Sequence, residues 1–215
     1  MKMYNKKIAK SSELQSSCIA WFKLAELISR KEKEKALSLY RLLSHSFDKA
    51  YALQVEGDIL WALEDKQATE KYKQAAYLYK KEERLVAATA IYEHLLTLQP
   101  KNYNFLTKLV ALYILLQWPE KFEKIYEKIL KHFDEGLISQ NDIIIISKKI
   151  TNFANNQINL QNDEEDNIYF HKNDDPTNFI WILKSLSSIL KKHKADWLLE
   201  ILKKYCLEHN LNLDT

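Results

Sequence analysis

An all-α chain of antiparallel helix pairs is the reading this sequence supports, on three grounds. Only two of its 215 residues are Gly and three are Pro, too few for the tight turns of a hairpin-rich β fold. Apolar residues recur every three or four positions in one stretch after another. Only a few residues separate these stretches, and short links force neighbouring helices antiparallel. With 47% apolar and 28% charged residues, the chain has the balance of a packed globular protein.

The elements follow in order. Ser12 and Gln15 make a capping-box pattern, after which Ile19, Phe22, Leu24, Leu27 and Ile28 mark one apolar face. A charged break at 30–34 precedes Ala36, Leu37, Tyr40 and Leu43. Asp48 opens a third helix with Ala52, Val55, Ile59 and Leu60, and Asp65 caps a fourth with Ala68, Tyr72, Ala75, Ala76 and Tyr79. The fifth holds Leu85, Ala88, Ile91, Tyr92 and Leu95, and Pro100 stops it. Asn102 caps the sixth, with Leu106, Leu109, Val110 and Tyr113; Pro119 is placed as the first residue of the seventh, which carries Phe122, Ile125, Tyr126 and Ile129 up to an exit at Gly136. Asn141 or Asp142 is expected to cap an eighth helix through Ile143–Ile146, a β-branched run that also fits a strand, although a lone strand would have no pairing partner. Asp175-Pro176 starts a ninth helix with Ile182, Leu183 and Leu186, and a tenth carries Trp197, Leu198, Leu202 and Tyr205.

A repeat underlies this order. Residues 69–102 place Tyr72, Ala75, Ala76 and Tyr79 on a first helix and Ala88, Tyr92 and Leu95 on a second, closed by Pro100. Residues 103–136 repeat the scheme with Leu106, Leu109, Val110 and Tyr113, then Phe122, Tyr126 and Ile129. Residues 17–50 do so with Ala20, Leu24 and Leu27, then Ala36, Tyr40 and Leu43. Small residues facing rings let helix axes approach while the ring fills the groove. Over about 17–136 the chain therefore resembles the tetratricopeptide-repeat family, whose unit is about 34 residues. The resemblance implies a right-handed α-solenoid of helix pairs, here with a C-terminal helical cap. The interval from residue 17 to residue 69 exceeds one repeat by about half, so 51–68 is an extra helix or the fourth helix serves in both senses. The expected organisation is a basic disordered tail at 1–12, helical repeats at 13–136, and C-terminal helices at 137–215 with an acidic mobile loop at about 155–176.

Net charge is +3, from 32 Lys+Arg against 29 Asp+Glu, too even for a dedicated nucleic-acid binder. Residues 1–50 hold 11 basic and 5 acidic side chains, and 151–215 hold 7 basic and 10 acidic, an asymmetry suited to solvated faces or an electrostatic docking patch. Cys18 and Cys206 are expected as buried thiols in a reducing, cytoplasmic setting. The acidic run Asp163–Asp166 lacks the Gly and the spacing of a calcium loop. His45, His94, His132, His171, His193 and His209 form no ligand pair, and there is no Gly-x-Ser-x-Gly elbow. No cofactor, metal, membrane span or catalytic residue is expected.

The resemblance implies a groove lined by the first helix of each pair. Carried over to the two clearest units, this gives Lys73, Tyr77 and Lys80 from one and Thr107, Ala111 and Ile114 from the next. They suit an acidic or amphipathic segment of a partner protein, unless Tyr77 and Ile114 pack against a neighbouring helix. Trp21, Trp61 and Trp118 read as core or seam residues. The Lys and Asn clamp with which some relatives grip a C-terminal carboxylate has no counterpart here. The expectation is thus a non-enzymatic interaction module. The alternatives are an RNA-binding helical-repeat surface and a subunit or regulator of an enzyme complex.

Overall fold

The structure, a computed structural model, describes residues 18–154 and 180–208. The tail at 1–12, the Ser12–Gln15 box, the loop at 155–176, the Asp175-Pro176 helix start, His171 and His209 lie outside these residues. All regular structure in the described residues is helical: α1 (18–29), α2 (Lys33–Leu43), α3 (Lys49–Ala62), α4 (Gln67–Lys81), α5 (Leu85–Leu98), α6 (Tyr103–Leu115), α7 (Pro119–Asp134), α8 (Gln140–Ala154), α9 (Ile180–Lys192) and α10 (Asp196–Glu208), with a 3-10 turn at Ser44–Ser46. The β-branched run Ile143–Ile146 is therefore helical. The chain divides into two compact units, Met1–Glu82 and Glu83–Thr215. The division falls inside the stretch assigned to repeats, and α8–α10 belong to one unit with α5–α7.

In the first unit α2 packs on α3, and α3 on α4. The buried face of α4 is Ala68, Tyr72, Ala75, Ala76 and Tyr79, the ring-and-alanine set expected from the sequence. Where α3 meets it stands Gly57, and a Cβ there would lie 2.9 Å from two ring carbons of Tyr72. The absent side chain is what lets the ring in. The α1–α2 and α3–α4 turns lie side by side: Lys31 Nζ reaches the Glu64 carboxylate at 2.7 Å and donates to the Ala62 carbonyl, and Lys33 pairs with Asp65 at 2.6 Å.

In the second unit each helix from α5 to α10 packs on the next, and α6, α7 and α8 also pack on the next but one. Side chains tie α9 to α7: Ser185 Oγ donates to Glu123 at 2.7 Å and Lys192 pairs with Glu127 at 2.6 Å. The core residues Leu95, Leu106, Ile114, Phe122, Tyr126, Ile143, Leu186 and Leu198 are fully enclosed.

Helix ends explain how so few glycines suffice. Lys31, Glu64, Glu83, Gln117 and Lys194 take left-handed backbone angles, with φ between 52° and 61°, as does Gly136 at 71°. The N–H after the left-handed residue bonds a carbonyl in the last helical turn: Glu32 to Leu27, Asp65 to Leu60, Trp118 to Tyr113, Leu137 to His132 and Ala195 to Leu190. This is the Schellman ending, usually built on Gly. From Lys31 to Glu64 and from Glu83 to Gln117 the interval is about one repeat length, whereas Glu64 to Glu83 is little more than half of one. The short interval from Glu64 to Glu83 holds the single helix α4.

Helix starts follow the sequence with one exception. Asp48 accepts from Tyr51 N–H, Asp65 from Gln67 N–H and Asn102 from Asn104 N–H, and Pro119 opens α7. The exception is α8. Neither Asn141 nor Asp142 caps it; Ser139 does, accepting from the Asp142 N–H while its hydroxyl donates back to the Asp142 carboxylate at 2.6 Å. The cap thus lies N-terminal to both residues expected to supply it.

Buried and half-buried tyrosines keep their polar tips satisfied on packed helices. Tyr40 donates to the Ala52 carbonyl, Tyr72 to Asp58, Tyr79 to Gln54, Tyr113 to Glu93 and Tyr205 to Asn152. Tyr126 meets Ser147 at 2.6 Å; because Ser147 gives its own proton to the Ile143 carbonyl, Tyr126 is the donor. Burial pushes the Tyr40 phenol up to about 12 and raises those of Tyr72, Tyr113 and Tyr126 as well, so all remain protonated donors.

Three expectations fail at the first unit's edge. Cys18 is exposed, while Cys206 is buried as expected. Ile19 and Phe22 are 67% and 77% exposed, although Leu24 on the same helix is buried. Trp61 is half exposed, whereas Trp21 stacks on Phe47 with ring centres 6.0 Å apart.

Candidate partner-binding surfaces

The six residues chosen from the sequence have different fates. Lys73, Tyr77 and Lys80 share one face of α4, a face the buried set does not occupy. Lys73 is exposed and pairs with Glu70 at 2.7 Å. Tyr77 is partly exposed. Lys80 is half-buried, and that desolvation holds its ammonium below the ordinary 10.5. This trio forms a modest polar patch on the first unit.

The second trio is not open. Ala111 and Ile114 are buried, and Thr107 is half-buried with its hydroxyl bonded to the Asn104 carbonyl. The cause is the position of α6, which packs on α5, α7 and α8 at once. Most of its circumference is core: Phe105, Leu106, Leu109, Val110, Leu112 and Tyr113 are buried too. Ala111 and Ile114 are therefore packing residues and present no surface to a partner.

The first unit carries a surface that the sequence reading missed. Between α1 and α2 runs an open groove of about 440 Å³, lined by Lys23, Leu27, Glu34, Lys35, Ser38, Leu39 and Leu42. Successive helical residues are about 100° apart, so Ile19, Lys23 and Leu27 form one stripe along α1, and Lys35, Ser38, Leu39 and Leu42 another along α2. Leu42 is 69% exposed. The opposite faces of the two helices, with Leu24, Ala36, Leu37 and Tyr40, are buried. Each helix thus has two apolar faces, and only one is covered by the described residues. The signal was present: Phe22 and Leu24 lie about 200° apart around a helix and cannot share one face.

Charge around the groove is mostly paired. Lys35 pairs with Glu32 at 2.6 Å and Arg30 with Glu26 at 2.6 Å; the Lys35 ammonium keeps the Glu32 carboxyl below its ordinary 4.5. Lys23 and Glu34, which both line the groove, make no ion pair among the described residues. An apolar floor flanked by an ammonium and a carboxylate can bind an apolar segment. Its lining offers one hydroxyl and no imidazole or thiol.

Among the described residues no cluster of His, Cys, Asp and Glu is fit to hold a metal ion, and no helix is long and apolar enough to cross a membrane. Comparison with protein-family models, curated proteins and solved structures finds no match for this chain.

Proposed function

We propose that this chain is a non-enzymatic interaction module of tetratricopeptide type, binding a peptide or helix of a partner protein. The observation that carries the reading is the apolar groove between α1 and α2 that no described residue covers. Contiguous apolar surface is seldom left bare unless it is used. The repeat reading is supported by two further features. Helices of the second unit pack on their next and next-but-one neighbours, and two of the intervals between left-handed turn residues, Lys31 to Glu64 and Glu83 to Gln117, are about one repeat length. Free thiols at Cys18 and Cys206 fit a cytoplasmic setting.

The test is affinity capture from extract of the native cell with the wild-type chain and with Leu42→Glu, which alters an exposed side chain and should leave the helical circular dichroism unchanged. The expected result is a protein retained by wild type and lost by the variant. Lys73→Glu, run in parallel, reads the α4 patch. Equal recovery by all three chains would remove both surfaces from the site.

A further inference from the structure

We infer that a lysine stripe on α7, separate from the α1–α2 groove, is a docking surface for an acidic segment of a partner protein. Charge on α7 is sorted around the helix. At about 100° per residue, Lys121, Lys124, Lys128 and Lys131 fall in one stripe, and Glu120, Glu123 and Glu127 fall in the stripe beside it. The acidic stripe is engaged by α9: Glu123 accepts from Ser185 at 2.7 Å and Glu127 pairs with Lys192 at 2.6 Å. The lysine stripe lies toward α5, where Lys121 pairs with Glu93 at 2.6 Å. Glu93 is the one acidic residue in α5, so that helix has no carboxylate for the remaining lysines.

Lys124 is exposed and Lys128 half-buried, and neither makes an ion pair among the described residues; Lys131 reaches Glu135 only at 3.8 Å. Lys101, exposed on the turn between α5 and α6, also has no ion pair there. Beyond burial, Lys128, Lys131 and Lys101 all help hold the His132 imidazole below its ordinary 6.5, so the three ammonium groups surround one point. From Lys121 to Lys131 the stripe runs about 15 Å with one cation per turn. Carboxylates on one face of a helix, or on alternate residues of an extended segment, recur at about the same 5–7 Å. Charge complementarity therefore selects an anionic occupant. Nucleic acid is disfavoured: the stripe has no arginine to fork a phosphate, and the Trp118 ring at its head is taken by Lys121 at 4.8 Å where a base would stack. A second copy is disfavoured because the matching acidic stripe of α7 is already engaged by α9.

Two synthetic peptides of about 10 residues, long enough to span the stripe even as a helix, test this. One alternates Glu and Ala; the other has Gln at every Glu position. Their affinity for the full chain is read by fluorescence anisotropy at low salt. The Glu peptide should bind about tenfold tighter than the Gln peptide, and the gap should close as salt rises. Lys124→Gln with Lys128→Gln should remove most of that gap. Lys191→Gln with Lys204→Gln takes the same charge from exposed lysines of α9 and α10 and should leave the gap in place. Helical circular dichroism should be unchanged in both double variants. Equal affinity for the two peptides, or equal loss in the two double variants, would overturn the stripe as a docking surface. A single-stranded RNA of equal charge that binds tighter than the Glu peptide, and is lost in Lys124→Gln with Lys128→Gln, would assign the stripe to nucleic acid. Tighter binding of the Glu peptide by Glu164→Gln with Glu165→Gln would assign it to the chain's own acidic run. A dimer in sedimentation that Lys124→Gln with Lys128→Gln splits would assign it to a second copy; each of these three results overturns the inference.

Discussion

Gly57→Ala is the sharpest probe of how the first unit is packed, because two effects of opposite sign meet at one atom. Alanine in a helix interior is favoured over glycine by about 0.5–1 kcal/mol, so an uncrowded site would gain stability. Here the new Cβ would lie 2.9 Å from both Cδ1 and Cε1 of Tyr72 and 3.3 Å from its Cγ, whereas carbon atoms attract best at about 3.5–4.0 Å. The ring has little room to retreat: it is 1% exposed, and its hydroxyl is bound to Asp58 at 2.7 Å. Overpacking of this kind costs about 1–3 kcal/mol, so the net expectation is a loss of about 1–2 kcal/mol after the propensity gain. Urea unfolding followed by tryptophan fluorescence measures it, with Tyr72→Leu and the double variant completing the cycle. With the ring gone, Gly57→Ala should become stabilising. A rise in stability in the otherwise unaltered chain would refute the close approach of α3 to α4.

Further expectations follow from individual sites. Gln117→Gly should raise stability by up to about 1 kcal/mol in the same urea assay, since it relieves the left-handed strain of a side-chain-bearing residue, and Lys194→Gly should act alike. Burial, together with the charges of Lys128, Lys131 and Lys101, holds the His132 imidazole below its ordinary 6.5, and its Nδ1 has no hydrogen-bond partner among the described residues. As pH falls through 6.5 the unfolded chain takes up this proton before the folded one. The contribution of His132 is therefore complete above that pH and shrinks below it. The fall in unfolding free energy between about pH 6.5 and 5 should be shallower in His132→Gln. Burial pushes the Cys206 thiol up to about 11 while Cys18 is exposed. Iodoacetamide followed by peptide mass mapping should label Cys18 in the folded chain, and Cys206 only after denaturant is added.

Helix positions were legible because burying one face of a helix imposes a period on the chain. The alanines and rings at Ala36, Tyr40, Tyr72, Ala75, Ala88 and Tyr126 repeat it, and Asp48, Asn102 and Pro119 mark starts by side-chain chemistry. The turns were less legible. A left-handed residue is visible in a sequence when it is glycine, as at Gly136, but Lys31, Glu64, Gln117 and Lys194 take that shape through the bonds their neighbours make. The cap at Ser139 was hidden by the more acidic Asp142, which serves as its partner. Periodicity also says that a face is apolar without saying what covers it. That is why the apolar residues of α6 read as groove floor at Ala111 and Ile114 when three helices enclose them, and why those of α1 read as core at Ile19 and Phe22 when they stand open.

The phenol contacts carry a last consequence. Each ring alone would tolerate a small slide of one rod along another, since oily surfaces match in many alignments. The hydroxyls do not: moving α4 one turn along α3 would strand Tyr72 from Asp58 and Tyr79 from Gln54 together. Paired notches of this kind index the helices, so that a surface built on them keeps its spacing while the residues outside are free to change.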